Sequence, residues 1–305
     1  MLLTNTHILF PEFEYHAPTT VYEATELLAQ YGDPLASSGQ AARVMAGGTD
    51  LLVQMKMERR EPSHIISLQR IRALHTISQN GDIAIGAATS IRALFQHLSN
   101  LQPSTFRLTA LAESCNWFST VQIMYMATLG GNLCNASPAA DTAPCLLVYD
   151  ASVTLKSKTN ERVVPLTDFF LAPGKTVLRA EELLTHIHIP RPAPNTGSAF
   201  IKISRVAADI SQVCAAVKIV REGNVVRDAR IALGSVAPTP FRAVNAKTAL
   251  VGETFTPELA EHVGKIAAQE IQPIDDVRAT REYRQRVAAV IVRDALLKAW
   301  ERSLS

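Results

Sequence analysis

The chain is poor in aromatic residues, at 6%, in charge, at 19%, and in cysteine, with four in 305 residues. Cys115, Cys134, Cys145 and Cys214 form no CxxC pair, which argues against a zinc knuckle or a thioredoxin-like motif. In a reducing cytosol four such residues are free thiols. No stretch approaches the roughly 18 uninterrupted apolar residues of a membrane span. Met1 to Pro18 lacks a basic n-region, and Glu12 and Glu14 interrupt it well short of a signal-peptide core, so the expected location is the cytoplasm. Lys and Arg number 30 against 28 Asp and Glu, spread along the chain rather than gathered into runs, which leaves no electrostatic footprint for nucleic acid. The G-x-G-x-x-G fingerprint and the G-x-x-x-x-G-K-[ST] phosphate loop are both missing, which disfavours ordinary Rossmann and P-loop folds. The modest share of charge points to surface buried against partner subunits.

What is present reads as two or three packed lobes of mixed α and β structure. Thr20 and Glu23 have the spacing of a capping box, and Val21, Ala24, Leu28 and Tyr31 follow on one helical face until Gly32. A short strand over 43–46 then runs into Gly47-Gly48-Thr49-Asp50, with a helix over 51–57 after it. The pair Pro62-Ser63 closes a first lobe, 1–62. A strand over 64–68 and a hairpin at Asn80-Gly81 open a second, 63–190. Helices are expected over 90–98 and 109–114, then a long segment, 117–150, dense in Gly, Asn, Ala, Ser and Pro, the mark of backbone packed close to something. Strands at 153–155, 163–165 and 183–189 lead to the linker Pro190–Asn195. The third part, 196–305, reads as an antiparallel meander over 199–204, 214–220, 225–227 and 230–234, closed by helices over 257–270 and 282–300. The last of these carries an apolar stripe of Tyr283, Val287, Val290, Ile291 and Leu297.

Two glycine pairs stand about 80 residues apart, in Ala46-Gly47-Gly48-Thr49-Asp50 and in Thr128-Leu129-Gly130-Gly131-Asn132. Without Cβ, such a pair can reach positive φ and turn successive N–H groups into one concavity that binds phosphate. The hydroxyls of Thr49 and Thr128 would add donors, and neither loop needs Lys or Arg. One glycine pair by itself is usually only a tight turn. Two, one on each side of a pyrophosphate, make a clamp.

Longer motifs say more. Arg43-Val-Met-Ala-Gly-Gly-Thr-Asp-Leu-Leu52, Ala127-Thr-Leu-Gly-Gly-Asn-Leu-Cys-Asn-Ala-Ser-Pro-Ala-Ala-Asp-Thr-Ala-Pro144 and Leu233-Gly-Ser-Val-Ala-Pro-Thr-Pro-Phe-Arg-Ala243 closely resemble the FAD-binding medium subunit of the xanthine dehydrogenase and carbon monoxide dehydrogenase family. The likeness runs in order over essentially the whole chain. It implies an α+β protein with a two-lobed FAD-binding region of the vanillyl-alcohol oxidase/MurB (PCMH) type, followed by a C-terminal α+β domain with an antiparallel sheet and helices. It implies non-covalent FAD between the lobes, with Val44, Met45, Ala46, Gly47, Gly48, Thr49, Asp50 and Leu51 around the pyrophosphate. Thr128, Leu129, Gly130, Gly131 and Asn132 would complete the clamp. Asn135 and Asp141 also match cofactor-contacting positions, with Asp141 suited to a ribityl or ribose hydroxyl. Phe118 matches an aromatic near the flavin, and Leu184 and Lys202 are carried over from the same resemblance. The sequence departs from the family at Ile123-Met124-Tyr125, where an Ile-Arg-Asn is common, and in Arg205-Val-Ala-Ala-Asp209, which is less charged than usual; both bear on the electron acceptor.

The resemblance also implies partners: a large subunit with a molybdenum cofactor, a small subunit with two two-iron clusters, and a dimer of such heterotrimers. The flavin carries the redox chemistry, so no residue here is expected to be catalytic. No metal is expected either, since the loop that carries a four-iron cluster in some relatives is absent and none of the eight His forms H-E-x-x-H. His186 and His188 read as a satisfied or solvent-facing pair on one strand, Asp150 and Asp168 as unassigned carboxylates, and Cys134 as a small packing residue. The rival readings are a stand-alone flavin oxidase or reductase, which needs substrate-binding residues over the flavin, and a flavin-free scaffold, which predicts broken glycine turns.

Overall fold

The computed structural model describes residues 12–32, 42–100, 108–206 and 208–303. The reading of the N-terminal segment falls largely on residues 1–11, outside them, as does Ala207 of the 205–209 loop.

The first helix, α1 (Val21–Tyr31), starts where the sequence places it. The Thr20 hydroxyl accepts the Glu23 N–H at 3.1 Å, while the Glu23 carboxylate takes the Thr19 N–H at 2.7 Å, one residue earlier than the usual reciprocal bond. Strands β1 (Glu14–His16), β2 (Arg43–Met45) and β3 (His64–Ser67) form a parallel sheet in the order β1-β3-β2. Parallel pairing requires crossovers, which α1 and α2 (Leu51–Lys56) supply. The strand β3 lies beyond the Pro62-Ser63 boundary, yet it pairs on both sides and is the centre of this first sheet. Its run Ile65-Ile66-Ser67 is fully buried, as a central parallel strand requires.

The second sheet is antiparallel, in the order β4 (Ile77–Asn80), β5 (Asp82–Gly86), β10 (Leu183–Ile189), β6 (Ser152–Lys156), β7 (Glu161–Pro165). A small hairpin of β8 (Phe170–Ala172) and β9 (Lys175–Thr176) hangs beside it. Helices α3 (Ile91–Asn100) and α4 (Thr109–Asn116) pack on each other and share its hydrophobic core. The small-residue segment 117–150 is not irregular: it holds α5 (Val121–Met126), α6 (Leu129–Cys134) and α7 (Thr142–Val148). Its alanines explain the composition, since Ala127, Ala140 and Ala143 are buried in the same core as Ile83, Leu129 and Phe169.

The third part is a four-stranded antiparallel meander of β11 (Thr196–Ile203), β12 (Val213–Glu222), β13 (Val225–Gly234) and β14 (Phe241–Arg242), packed under α8 (Val244–Thr248), α9 (Pro257–Glu270) and α10 (Arg281–Arg302). The sequence divides β13 at the polar Asp228; the strand runs through, with Arg227 as a bulge opposite Val220 and Arg221 that absorbs the change in register. Thr256 and Thr280 cap α9 and α10 by accepting the N–H groups of Leu259 and Tyr283. The buried stripe of α10 is Ala288, Ile291, Val292, Ala295, Leu296 and Ala299, whereas Tyr283 and Val290 point outward. Alanines carry this face because the helix lies close against the sheet; a Cβ at Gly197 of β11 would stand 1.9 Å from the Ala299 carbonyl oxygen.

Charges fasten the third part to the second. Asp150, just after α7, accepts from Arg242 Nη2 at 2.6 Å, Lys218 Nζ at 3.2 Å and Arg230 Nε at 3.3 Å. These cations hold its carboxyl below the ordinary carboxylate range. That gives Asp150 a structural task. No helix among the described residues is long and apolar enough to cross a membrane.

Candidate functional site

Strand β2 delivers the chain into Ala46–Asp50, and α2 leads it away once the Leu52 N–H bonds the Gly48 carbonyl at 3.0 Å. Gly48 has φ +74°, the left-handed conformation that a residue with Cβ enters at a cost of about 1–2 kcal/mol. The result is a short arc whose N–H groups at Gly47, Gly48, Thr49 and Asp50 have no acceptor among the described residues. Consecutive unspent donors of this kind form an anion nest.

The second glycine pair is built differently. Thr128 is the N-cap of α6, its hydroxyl accepting the Gly131 N–H at 3.1 Å, so the pair occupies the first turn of a helix rather than a left-handed turn. Its donors are spent within the protein. Leu129 N–H bonds the Thr89 carbonyl at 3.0 Å, Gly130 N–H that of Ala87 at 2.9 Å, and Asn132 N–H that of Thr128 at 2.9 Å. Glycine is needed here for approach, not for φ: a Cβ at Gly130 would sit 2.6 Å from the Ala87 Cβ.

The two segments meet. A Cβ at Gly47 would fall 1.7 Å from the Met126 carbonyl oxygen, the Cβ position of Gly131 is 3.9 Å from the Ala46 Cβ, and Asn135 Nδ2 donates to Asp50 Oδ1 at 3.1 Å. Asn132 Oδ1 in turn accepts from the Thr142 hydroxyl at 2.6 Å, which ties α6 to α7.

Asp141, at the start of α7, is buried, and its Oδ2 accepts from Lys202 Nζ at 2.7 Å; Lys202 also donates to the Trp117 carbonyl at 2.9 Å. The other carboxylate oxygen, Oδ1, is buried without a hydrogen-bond partner. Burial pushes the Asp141 carboxyl up from 3.8 to about 6, with the Lys202 charge opposing the rise. An orphaned carboxylate oxygen of this kind calls for a donor, and the Ser211 hydroxyl is the protein group closest to that role.

Among the remaining expected residues, Val44 and Met45 lie in β2, Leu51 opens α2, and Phe118 is partly buried after α4. The Leu184 side chain is buried in the core beside a bulge in β10. Cys134 is exposed rather than packed, while Cys115, Cys145 and Cys214 are buried, and Cys145 donates to the Ala110 carbonyl. His188 bonds the Thr154 hydroxyl at 2.8 Å. Two residues near Asp141 are absent from the sequence reading: Ser211 and Ser235, whose hydroxyls lie 2.6 Å apart, with Ser235 at φ +65°. Ser235 sits inside the third long motif, beside Gly234, and that was the only signal.

FAD carries two phosphates and several ribityl and ribose hydroxyls. A donor nest with no cationic side chain and a buried acceptor lacking a partner fit those two kinds of group. The family comparisons agree. The model described as "FAD binding domain in molybdopterin dehydrogenase" matches residues 11–192, and "CO dehydrogenase flavoprotein C-terminal domain" matches 198–299. The carbon monoxide dehydrogenase medium chain of Hydrogenophaga pseudoflava is 33% identical over 293 residues, 96% of this chain and 98% of the relative. The xanthine dehydrogenase FAD-binding subunit of Escherichia coli O157:H7 is 30% identical over 296 residues, 95% and 97% of the two. A solved structure of carbon monoxide dehydrogenase from Hydrogenophaga pseudoflava, which lacks the Mo-pyranopterin moiety of the molybdenum cofactor, superposes with a TM-score of 0.89 at 33% identity, covering 97% of this chain and 99% of that one. Quinoline 2-oxidoreductase from Pseudomonas putida 86 gives 0.87 at 27% identity, over 98% and 100%. With both halves of the chain matched and the glycine nest intact, this protein belongs to the FAD-binding medium subunits of the molybdenum hydroxylases, an oxidoreductase family.

Proposed function

We propose that this chain is the electron-transfer subunit of a heteromeric molybdenum hydroxylase, receiving electrons from a subunit with two-iron clusters and passing them through FAD to an external acceptor. The single observation that carries the site is the row of four unspent N–H groups at Gly47–Asp50. FAD, when bound, supplies reversible uptake of one or two electrons. The chain's own residues bind and orient it. The 47–50 nest takes the pyrophosphate, α6 with Thr128, Leu129, Gly130, Gly131 and Asn132 closes against that nest, and Asn135 holds Asp50 in place. Asp141 Oδ1 accepts from a ribityl or ribose hydroxyl while Lys202 keeps the carboxylate oriented. Phe118 and the Leu184 backbone lie at the flavin side. None of these residues moves a proton in the redox step.

The partners follow from the relatives, which are medium chains of multi-subunit enzymes. An apolar rim supports them: Val53 of α2, Met57 just after it, and Val121, Tyr125 and Met126 of α5 are exposed, and Met126 adjoins the Gly47 loop. Burying such side chains on a molybdenum subunit and an iron–sulfur subunit, within a dimer of heterotrimers in the cytoplasm, accounts for their exposure here. Purification of the native complex with a flavin, iron and molybdenum inventory tests the assembly. Molybdenum and iron that co-elute with this chain support it; a flavin-loaded chain that oxidises a small molecule with no partner contradicts it. Acid precipitation releases the FAD into the supernatant if it is non-covalent, and the isolated chain contains no iron.

A further inference from the structure

The parallel pairing of β1 with β3 sets Glu14 opposite His64, and the two-residue period of a strand puts His16 on the same face as Glu14. All three side chains converge: their nearest ligand atoms lie within 4.8 Å of one another. His16 Nε2 stands 3.1 Å from His64 Nδ1, and Glu14 Oε2 lies 3.2 Å from His64 Nδ1 and 3.9 Å from His16 Nε2. Tyr31, at the end of α1, stacks on the His64 ring with centroids 4.0 Å apart and on the His16 ring at 5.4 Å, which fixes both imidazole planes. The sequence reading expected no metal in this chain, because the loop that carries a four-iron cluster in some relatives is absent and no His forms H-E-x-x-H; it did not bring these three residues together.

We infer that Glu14, His16 and His64 form a binding site for a borderline divalent cation, with Zn2+ as the natural occupant, which clamps β1 to β3 in the FAD-binding part of the chain. Two imidazoles and one carboxylate are the donor set that such ions prefer, and it is a poor set for Mg2+ or Ca2+. Neighbouring ligand atoms in a tetrahedral zinc site, with bonds of about 2.0–2.1 Å, are about 3.3 Å apart, which the two shorter separations match. The third separation closes through Glu14, whose side chain is 67% exposed and free to adjust. Without a cation, one of the two facing ring nitrogens carries a hydrogen and donates to the other; with one, both present lone pairs and their protons sit on the outer nitrogens. Glu14 is exposed, so the cluster is open to solvent on that side and water can take the fourth position. The site stands apart from the glycine nest and leaves the flavin reading untouched.

The test is a calorimetric titration of the full FAD-loaded chain with Zn2+ after treatment with a chelator, in wild type, His16→Ala, His64→Ala, Glu14→Gln and the control His188→Ala. We expect one Zn2+ per chain, undisturbed by excess Mg2+, with affinity lowered at least about tenfold by either alanine variant, by less in Glu14→Gln, and not at all in His188→Ala. Titrated with Cu2+ instead, the wild type shows hyperfine coupling to two nitrogens in electron paramagnetic resonance, and each histidine variant shows one. FAD content reports whether each variant has folded; if an alanine variant loses it, the exposed Glu14→Gln decides. No saturable Zn2+ uptake by the wild type, or uptake that the folded variants leave unchanged, overturns the proposal and reduces the three residues to a hydrogen-bonded cluster.

Discussion

The two walls of the proposed flavin site use the same dipeptide for opposite purposes. In the 46–50 wall the glycines free the backbone: Gly48 turns left-handed and four N–H groups remain to be filled. In the wall that begins at Thr128 the glycines bring the backbone close, every backbone N–H from Leu129 to Asn132 is already bonded, and a buried acceptor, Asp141 Oδ1, is unspent. A glycine pair therefore does not report a phosphate turn by itself. The division of labour assigns the anionic end of the ligand to the first wall and a hydroxyl to the second.

That contrast can be broken at several points, all read as FAD affinity of the apo-chain by flavin fluorescence. The largest effect is expected from Gly47→Val, since even a Cβ there meets the Met126 carbonyl 1.7 Å away and the loop must move off α5. A loss beyond about a hundredfold, or close to 3 kcal/mol, is expected. Asp141→Ala removes a charge-assisted bond of about 1.5–3 kcal/mol, so affinity falls about tenfold to a hundredfold. It also strands the buried Lys202, which costs about 3–5 kcal/mol of stability, so Asp141→Asn with Lys202→Met is the companion that separates binding from folding.

Gly48→Ala introduces left-handed strain of about 1–2 kcal/mol and should weaken FAD about fivefold to thirtyfold. The pH dependence tests the second wall without mutation. The Asp141 pKa in the folded chain, about 6, lies above its ordinary 3.8, so between those values the native state holds the proton more tightly than the unfolded one. Its ionisation therefore lowers apo-chain stability as pH rises through that window, and the penalty is absent below about pH 4. A hydroxyl donated by FAD favours the carboxylate, so affinity should fall by up to about tenfold as pH drops from 7 to 5, and Asp141→Asn should flatten the curve. The smallest effect on affinity is expected from Gly130→Ala, which touches no ligand-facing donor; it should change FAD binding less than about threefold while overpacking Ala87 by about 1–3 kcal/mol, seen as a lower melting temperature.

Much of this was legible in the sequence because it was local. The capping Thr20, the strand into Gly47 and the helices read over 257–270 and 282–300 all rest on short-range pattern. The family resemblance then supplied the fold and cofactor, which periodicity could not. What stayed hidden depends on pairing between distant residues. Placing β3 in the first sheet requires its partners Glu14 and Arg43, and seeing that Gly130 and Gly131 are helical requires the carbonyls of Thr89 and Ala87. The stripe of α10 was legible in part: Ile291 is buried and Val287 and Leu297 pack against the core, while Tyr283 and Val290 are exposed and Ala288, Ala295 and Ala299 share the buried face. The convergence of His16 with His64 follows from strand register alone.

The central claim, that unspent backbone donors at 47–50 read a pyrophosphate, is tested most directly by titrating the apo-chain with FAD and with riboflavin, in wild type and in Gly48→Ala. With several charge-assisted bonds of about 1.5–3 kcal/mol each at stake, the wild type should prefer FAD by at least about a hundredfold, and Gly48→Ala should narrow that preference while leaving riboflavin affinity nearly unchanged. Riboflavin bound as tightly as FAD by the folded wild type would contradict the account.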